Sequence, residues 1–136
     1  MSVSVQQALA AVEAAGRDGR LRAVCDAHGI ELVTLFGSAL HGSDPKDLDV
    51  ALGFRHDVPY DLLAAINALA DLVPGDVLDI MDLNRAGPVA RVEALVGSRV
   101  LHESAPGVFT RRELHALGEY IDTAHLRDAL LRELAR

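Results

Sequence analysis

The feature that most constrains the fold is an acidic residue inside an otherwise apolar segment, Asp49 between Leu48 and Val50. The segment Leu48–Phe54 predicts a β-strand. Because side chains alternate between the two faces of a strand, Asp47 and Asp49 share one face, and their apolar neighbours share the other. Two ionised carboxylates on one face repel each other, and a divalent cation removes that conflict. Mg²⁺ prefers oxygen ligands and leaves positions for substrate phosphates, so the pattern predicts a magnesium site.

A second apolar segment, Val77–Met81, repeats this arrangement with Asp79 between apolar neighbours. If the two strands share a sheet, Leu48, Val50, Leu78 and Ile80 form a core under the helices. Asp47, Asp49 and Asp79 then converge on the opposite side. Three carboxylates can hold two metal ions, which clamp the attacking and leaving oxygens in phosphoryl transfer.

Turn formation is the alternative explanation for some of these acids. Asp44 and Asp47 could be turn residues, since aspartate favours turns. Asp49 resists that explanation, because an acid inside a strand needs a partner or a metal. Asp82 lies on the opposite face from Asp79 and is interpreted as a turn or helix-entry residue.

A glycine-serine pair, Gly37-Ser38, directly follows the apolar and β-branched segment Ile30–Phe36, which also predicts a strand. A glycine at the end of a strand lets the backbone approach a ligand closely. The following N–H groups and the serine hydroxyl can donate to phosphate oxygens. His41, in the same loop, could contact phosphate or face solvent. The pair therefore predicts the phosphate end of the site.

The order of predicted elements indicates an α/β (α+β) fold with a small mixed sheet of three or four strands flanked by helices. The 136 residues fit one domain, 1–136, and half of them are apolar, which is enough for a core. The predicted segments are N-terminal helices over 3–28 broken near Gly16–Gly19, a loop over 42–46, a helix over 60–72, a helix from Pro88 to about Val96, a short strand over 99–102 and a helical tail over 109–136 interrupted near Asp122-Thr123.

The tail carries an apolar stripe, in which Leu126, Leu130 and Leu134 recur every four residues. The first expectation is that this helix packs on its own domain. The alternative is a surface for a partner protein or a second copy of the chain. Arg111 and Arg112, earlier in the tail, are expected to be solvated, with contact to a partner as the alternative.

Charge and composition exclude several classes of function. The formal net charge is −7, so the chain repels a phosphate backbone and general nucleic-acid binding is not expected. No apolar run approaches the roughly 18 residues of a membrane span. No signal peptide is predicted, which makes the cytoplasm the expected location. Cys25 is the single cysteine, so it is expected to be a small buried side chain rather than a zinc or disulfide residue.

The motifs together resemble the MNT-type minimal nucleotidyltransferases of the polymerase-beta-like superfamily. The resemblance covers about residues 30–103, and its motifs are Gly37-Ser38, Asp47-Leu-Asp49 and the segment that begins Leu78-Asp79. It implies a polymerase-beta-like fold, with Gly37 and Ser38 binding the nucleotide and Asp47, Asp49 and Asp79 as catalytic and metal ligands. It also implies Mg²⁺, ATP or another nucleoside triphosphate, and a hydroxyl acceptor.

The chain departs from the family pattern in the phosphate loop. Eight residues separate Ser38 from Asp47, where ten are usual, and Ala39, Leu40 and His41 follow where relatives often have an arginine. The metal acids are unaffected by this shorter loop, whereas triphosphate affinity and acceptor choice depend on it.

Many stand-alone members of this size resemble antitoxins that adenylylate a tyrosine of a HEPN-domain toxin. The segment Leu117–Asp122 before the last helix is similar to such antitoxins. The resemblance therefore predicts AMP transfer from ATP to a toxin hydroxyl. The alternatives are a small-molecule, aminoglycoside-like nucleotidyltransferase, disfavoured by the short chain, and an antitoxin that acts by binding alone, disfavoured by the intact acids.

Overall fold

The computed structural model describes residues 4–41 and 45–136. Seven helices and four strands follow one another in these residues. They are α1 (Val5–Asp18), α2 (Arg20–His28), β1 (Ile30–Phe36), α3 (Ser38–His41), β2 (Leu48–Phe54), α4 (Leu62–Ala70), β3 (Leu78–Asp82), α5 (Pro88–Leu95), β4 (Arg99–Glu103), α6 (Val108–Asp122) and α7 (Ala124–Leu134). The start of the predicted N-terminal helix at Val3 and the first part of the predicted loop, 42–44 with Asp44, lie outside the described residues.

The four strands form one mixed sheet in the order β3-β2-β1-β4. β1 runs antiparallel to both β2 and β4, whereas β2 and β3 are parallel. The predicted mixed α/β fold is confirmed. The bounds of β1 and β2 agree with the sequence prediction, and β3 begins and ends one residue later than predicted.

Helices cover both faces of the sheet. On one face, α1, α2 and α4 pack on a core that includes Leu48, Val50 and Phe54, with Leu78 and Ile80 at its margin. On the other face, α5 and α6 pack on a smaller core that also contains apolar residues of β1 and β2. The predicted division of β2 into an apolar face and an acidic face is therefore observed.

The N-terminal helical segment breaks at Gly19, where φ is +90°. α1 begins with a capping box, in which the Ser4 hydroxyl accepts from the backbone of Gln7 and the Gln7 side chain accepts from the backbone of Ser4. α2 ends at Gly29, whose N–H donates to the carbonyl of Cys25. Cys25 is buried as predicted, and burial raises the pKa of its thiol to about 12.

The tail consists of two helices that meet at Thr123, close to the predicted interruption. α7 contributes no buried residue, and Leu126, Leu130 and Leu134 are 55%, 63% and 82% exposed. The expectation that the stripe packs on its own domain is wrong. An amphipathic pattern marks an apolar face, but the angle between α6 and α7 decides whether that face meets the core.

The two adjacent arginines of α6 differ from the expectation that both are solvated. Arg111 is exposed, but Arg112 is only 10% exposed and donates to Glu31, to the Asn84 side chain and to the Phe54 carbonyl. Buried charges of this kind persist when they are paired and fully hydrogen-bonded. Within the described ranges, no helix is both long and apolar enough to cross a bilayer.

Candidate active site

The glycine-serine pair forms a tight turn between β1 and the short helix α3. Gly37 has φ +77°, a left-handed conformation that favours glycine, and its carbonyl accepts from the N–H groups of Leu40 and His41. A Cβ atom at this position would collide with the carboxylate of Asp49. Gly37 is thus required both by its backbone angle and by the close approach of an acid from the neighbouring strand.

Two of the predicted acids lie side by side in the sheet. Asp49 of β2 is paired in parallel register with Asp79 of β3, and it lies opposite Phe36 at the end of β1. The register follows from the matching apolar faces of the two strands, because a slip of one residue would turn those faces to solvent. The sheet therefore places the Asp49–Asp79 pair directly beside the turn at Gly37.

The surroundings of this pair disfavour the ionised form of Asp49. Burial, followed by the adjacent Asp79 carboxyl group and the more distant Asp47, raises the pKa of Asp49. The two carboxyl groups are within hydrogen-bonding reach of each other. The backbone N–H of Ser38 donates to Asp49 and acts in the opposite direction, lowering its pKa. A cation bound between the acids would relieve this repulsion.

The third predicted acid, Asp47, is exposed and lies just before β2. It contributes charge to Asp49, but in the described residues no three His, Cys, Asp or Glu side chains are close enough to form a ready metal-binding group. The start of β2 is held by the N–H of Leu48, which donates to the carbonyl of Val77 at 2.8 Å. Asp47 is therefore near enough to affect Asp49 electrostatically, and its role as a metal ligand stays a prediction.

Asp82 does not belong to this group. Its side chain is 7% exposed, accepts from the Tyr60 hydroxyl at 2.7 Å and accepts from the backbone N–H of Asn84 at 2.9 Å. The latter bond is the local turn contact that aspartate typically makes. The interpretation of Asp82 as a turn residue agrees with these contacts.

A cleft of about 400 Å³ opens beside Gly37 and Asp49. Its lining residues come from the turn, from β2 and from the C-terminal end of α5; they are Phe36, Gly37, His41, Asp49, Glu93, Val96, Gly97 and Ser98. The buried Thr34 hydroxyl donates to the carbonyl of Ala94 at 3.0 Å and so anchors α5 on β1. For His41, the sequence allowed either phosphate contact or exposure to solvent. In the structure, its side chain is exposed and borders this cleft.

Sequence reasoning missed Glu93 and Ser98 as cleft residues. Glu93 sits on an exposed helix position, and Ser98 follows the glycine that ends the helix, so neither carries a local signal of function. Only the packing of α5 across β1 brings them next to Asp49. A second Gly-Ser pair, Gly97-Ser98, is the one local clue, but a glycine directly after a predicted helix indicates only the end of that helix.

These observations define the class of protein. They describe an α/β protein with a mixed sheet, helices on both faces and an acid pair next to a glycine-serine turn. A cleft bordered by carboxylates and by backbone N–H groups suits the phosphates of a nucleotide.

Solved structures with the same fold are toxin–antitoxin complexes. A chain of the MntA-HepT crystal structure matches with a TM-score of 0.65 and 17% identity, over 88% of this chain and 97% of that one. A chain of a toxin–antitoxin structure with AMP-PNP matches with a TM-score of 0.69 and 17% identity, over 88% and 98%. A third match, from a complex of an MNT antitoxin with a tri-AMPylated Shewanella oneidensis HEPN toxin, has a TM-score of 0.67 and 17% identity, over 91% and 99%.

The resemblance to MNT antitoxins, inferred from short motifs, is thus confirmed by the fold. The structural match covers 88–91% of the chain, more than the residues 30–103 to which the motifs belong. No protein-family model matches the sequence, and no curated protein matches it significantly. Structural similarity at this identity shows that the fold is shared.

Proposed function

We propose that the protein is a Mg²⁺-dependent nucleotidyltransferase that moves AMP from ATP to a hydroxyl group. The observation that carries the proposal is the Asp49–Asp79 pair, aligned across two parallel strands and held against the Gly37-Ser38 turn. A carboxylate whose pKa is raised by burial and by a neighbouring carboxyl group favours a cation. A glycine-serine turn beside such a pair favours the phosphates that share the cation.

The donor set fits Mg²⁺, because the aligned pair offers carboxylate oxygens, the ligands that this ion prefers. Asp49 and Asp79 would hold the metal. Asp47, two positions before Asp49, would become a further ligand once the substrate phosphates are in place. When bound, Mg²⁺ would neutralise charge on the carboxylates and on the triphosphate.

The transfer itself needs little more than positioning. Gly37 and Ser38 would bind the pyrophosphate part of ATP through backbone N–H groups and the serine hydroxyl. The acceptor oxygen forms a bond to the α-phosphorus, the bond from that phosphorus to the bridging oxygen breaks, and pyrophosphate leaves. The exposed Asp79 would accept the proton of the acceptor hydroxyl.

The acceptor we propose is a tyrosine of a HEPN-type toxin, which makes the protein a cytoplasmic antitoxin. Two observations on similar proteins support this choice. One similar chain belongs to a toxin–antitoxin structure with AMP-PNP, and another belongs to a complex with a tri-AMPylated HEPN toxin. The cleft beside Asp49 is open, which leaves room for a protein loop to bring in the acceptor.

The decisive experiment combines the purified protein, ATP, Mg²⁺ and the product of the neighbouring gene, and follows the intact mass of that product. The expected result is a mass increase of one or more AMP groups, which is lost when Asp49 is replaced by asparagine or when Mg²⁺ is chelated. A neighbouring protein that keeps its mass under all conditions would contradict the proposed acceptor.

Neutralisation by binding alone is a second candidate, favoured by the exposed apolar stripe of α7. Growth of cells that express the neighbouring gene separates the two candidates. If the Asp49→Asn protein protects the cells as well as the parent, binding suffices and catalysis is not needed for neutralisation.

A further inference from the structure

A second pocket lies at the far end of the sheet from Asp49, between the ends of β2 and β3 and the helices α5 and α6. It has a volume of about 190 Å³. Its floor is apolar, formed by Leu83 and Leu95, and its walls carry the cationic side chains of Arg91, Arg111 and Arg112. Two histidines, His56 and His115, complete the lining. Such a concentration of basic groups stands out in a chain whose formal net charge is −7.

The acidic partners of these arginines do not balance them. Arg91 pairs with Glu119 at 2.7 Å. Arg111 and Arg112 both donate to the same oxygen of Glu31, at 2.8 and 3.0 Å. Two guanidinium groups that share one carboxylate leave one positive charge in excess at the pocket wall. Their mutual repulsion is reduced by a second anion close to both.

Two of the three arginines are committed to the fold. Arg91 donates to the backbone carbonyls of Leu83 and Asn84 as well as to Glu119. Arg112 donates to Glu31, to the Asn84 side chain and to the Phe54 carbonyl. These bonds fix both planar groups against the strand ends, with positive charge facing the pocket.

Arg111 differs from the other two because it is available. Its side chain is 64% exposed, and within the described ranges its guanidinium makes a single hydrogen bond, to Glu31. A guanidinium has five N–H donors in a fork that matches a carboxylate in two-point geometry. Arg111 can therefore bind an anion while Arg112 continues to hold Glu31.

From these contacts we propose that the pocket binds a small organic acid, with its carboxylate on Arg111 and its apolar body on Leu83 and Leu95. The volume is too small for a nucleotide, since pockets for drug-sized ligands measure roughly 300–1,000 Å³. The apolar floor favours a carboxylate with a hydrocarbon body over a bare inorganic anion. The pocket is separate from the proposed ATP site: Phe54, which Arg112 contacts, lies five positions after Asp49 along β2, a span of about 17 Å.

Benzoate is a suitable probe, with benzyl alcohol as its neutral counterpart and inorganic phosphate as an anion without an apolar body. The measurement is the NMR titration of the His56 and His115 ring signals in the full chain. Benzoate is expected to shift these signals saturably, with an affinity on the order of millimolar for so small a ligand. Benzyl alcohol and phosphate are expected to bind more weakly.

The matched variants are Arg111→Met and Arg132→Met, since both arginines are exposed and Arg132 lies on α7, away from the pocket. Arg111→Met should weaken benzoate binding about tenfold, the effect of one charge-assisted hydrogen bond. Arg132→Met should leave benzoate binding unchanged, and both variants should bind ATP–Mg²⁺ as the parent does.

Three results would overturn the proposal: no saturable shift with benzoate, equal benzoate affinity in Arg111→Met and the parent, or tighter binding of phosphate than of benzoate. Loss of ATP–Mg²⁺ binding in Arg111→Met would also overturn it, because the two sites would then not be separate. The outcome does not depend on the proposed transferase activity, since the readout is ligand binding at the histidine signals.

Discussion

Asp49 lies between two close neighbours, Asp79 and Gly37. It is partly buried, it lies across from Asp79 in the parallel pair, and it fills the space that a side chain at position 37 would occupy. Burial and the neighbouring carboxyl groups both favour its protonated form, so its pKa is raised. A partly buried carboxyl group with a raised pKa beside a cleft is a candidate functional residue.

Replacing Asp49 by asparagine is expected to abolish AMP transfer and to preserve or increase the stability of the metal-free protein. The variant removes a repelled charge while keeping a group that can hydrogen-bond to Asp79. Transfer is measured by intact mass and stability by thermal unfolding in EDTA. Full transfer by this variant would refute the metal assignment.

The pH dependence of that stability difference has a defined sign. Because the pKa of Asp49 is raised in the folded state, its favourable contribution is complete below the ordinary aspartate value and is lost as pH rises through the folded value. The parent should therefore approach the stability of Asp49→Asn as pH falls from neutral into that window. A stability gap that widens on acidification would contradict the raised pKa.

Gly37→Ala is expected to lose activity and at least about 1 kcal/mol of stability, the typical cost of a left-handed conformation for a residue with a side chain. Gly29→Ala is the control, since Gly29 has φ +68° and open space around it. Denaturant unfolding should show a larger loss for Gly37→Ala, because its Cβ also displaces Asp49. Equal losses in the two variants would mean that the Asp49 side chain moves away from the new Cβ atom without a loss of stability.

At the scale of elements, β2 runs from the Asp49–Asp79 pair to the arginine-lined pocket. Asp49 lies near its start, and its end is held by Arg112 of α6, which donates to the Phe54 carbonyl. A Cβ atom added to Gly53 would lie only 2.9 Å from the Arg112 guanidinium. The glycine lets the arginine reach the strand. This contact ties α6 to the central sheet and so keeps the α5–α6 layer in place above the cleft.

Arg112→Met is expected to cost roughly 2–4 kcal/mol of stability, because it leaves the buried Glu31 carboxylate with only an exposed partner and removes one of the two donors to the Phe54 carbonyl. Arg111→Met should cost less than about 1 kcal/mol, the usual value of a solvent-exposed ion pair. Both are measured by urea unfolding. Similar losses in the two variants would show that burial of Arg112 contributes nothing.

Removal of residues 124–136 is expected to leave the fold intact, since α7 buries no residue against the rest of the chain. ATP–Mg²⁺ affinity should stay unchanged, while association with a partner, or with a second copy of the chain, should weaken. A full-length variant with Leu126, Leu130 and Leu134 changed to glutamine is the matched comparison, since it keeps the helix and removes its stripe. Insoluble truncated protein would show that the tail belongs to the domain after all.

The whole molecule has opposite charge at its two ends. Carboxylates gather where β2 and β3 begin, and guanidinium groups gather where these strands end. Because the two strands are parallel, the same register that pairs Asp49 with Asp79 also fixes how their other ends are aligned. A metal that binds only the folded acid end should therefore stabilise the entire sheet by mass action.

Addition of Mg²⁺ is expected to raise the unfolding temperature of the parent protein and to have a smaller effect on Asp49→Asn. The rise should be larger with ATP present, because the phosphates complete the coordination of the metal. Differential scanning fluorimetry at several Mg²⁺ concentrations, with Ca²⁺ for comparison, measures both effects. An identical response of the two proteins would place the metal elsewhere.

Much of the fold could be predicted because its signals are local. β1 and β2 are bounded by glycine, proline and aspartate and filled with β-branched and apolar residues, so their limits follow from a few neighbours in sequence. The period of two in a strand separated Asp49 from Leu48 and Val50 before any packing was known. The break at Thr123 and the cap at Gly29 are equally local.

The rest was decided by contacts between residues far apart in the chain. The parallel register brings Asp79 to Asp49, and the packing of α5 on β1 brings Glu93 and Ser98 to the cleft. Arg111 and Arg112 are neighbours of the same type, yet one is solvated and the other is buried against β2. Successive residues point about 100° apart on a helix, so only the placement of α6 on the sheet could determine which of the two became structural and which stayed free.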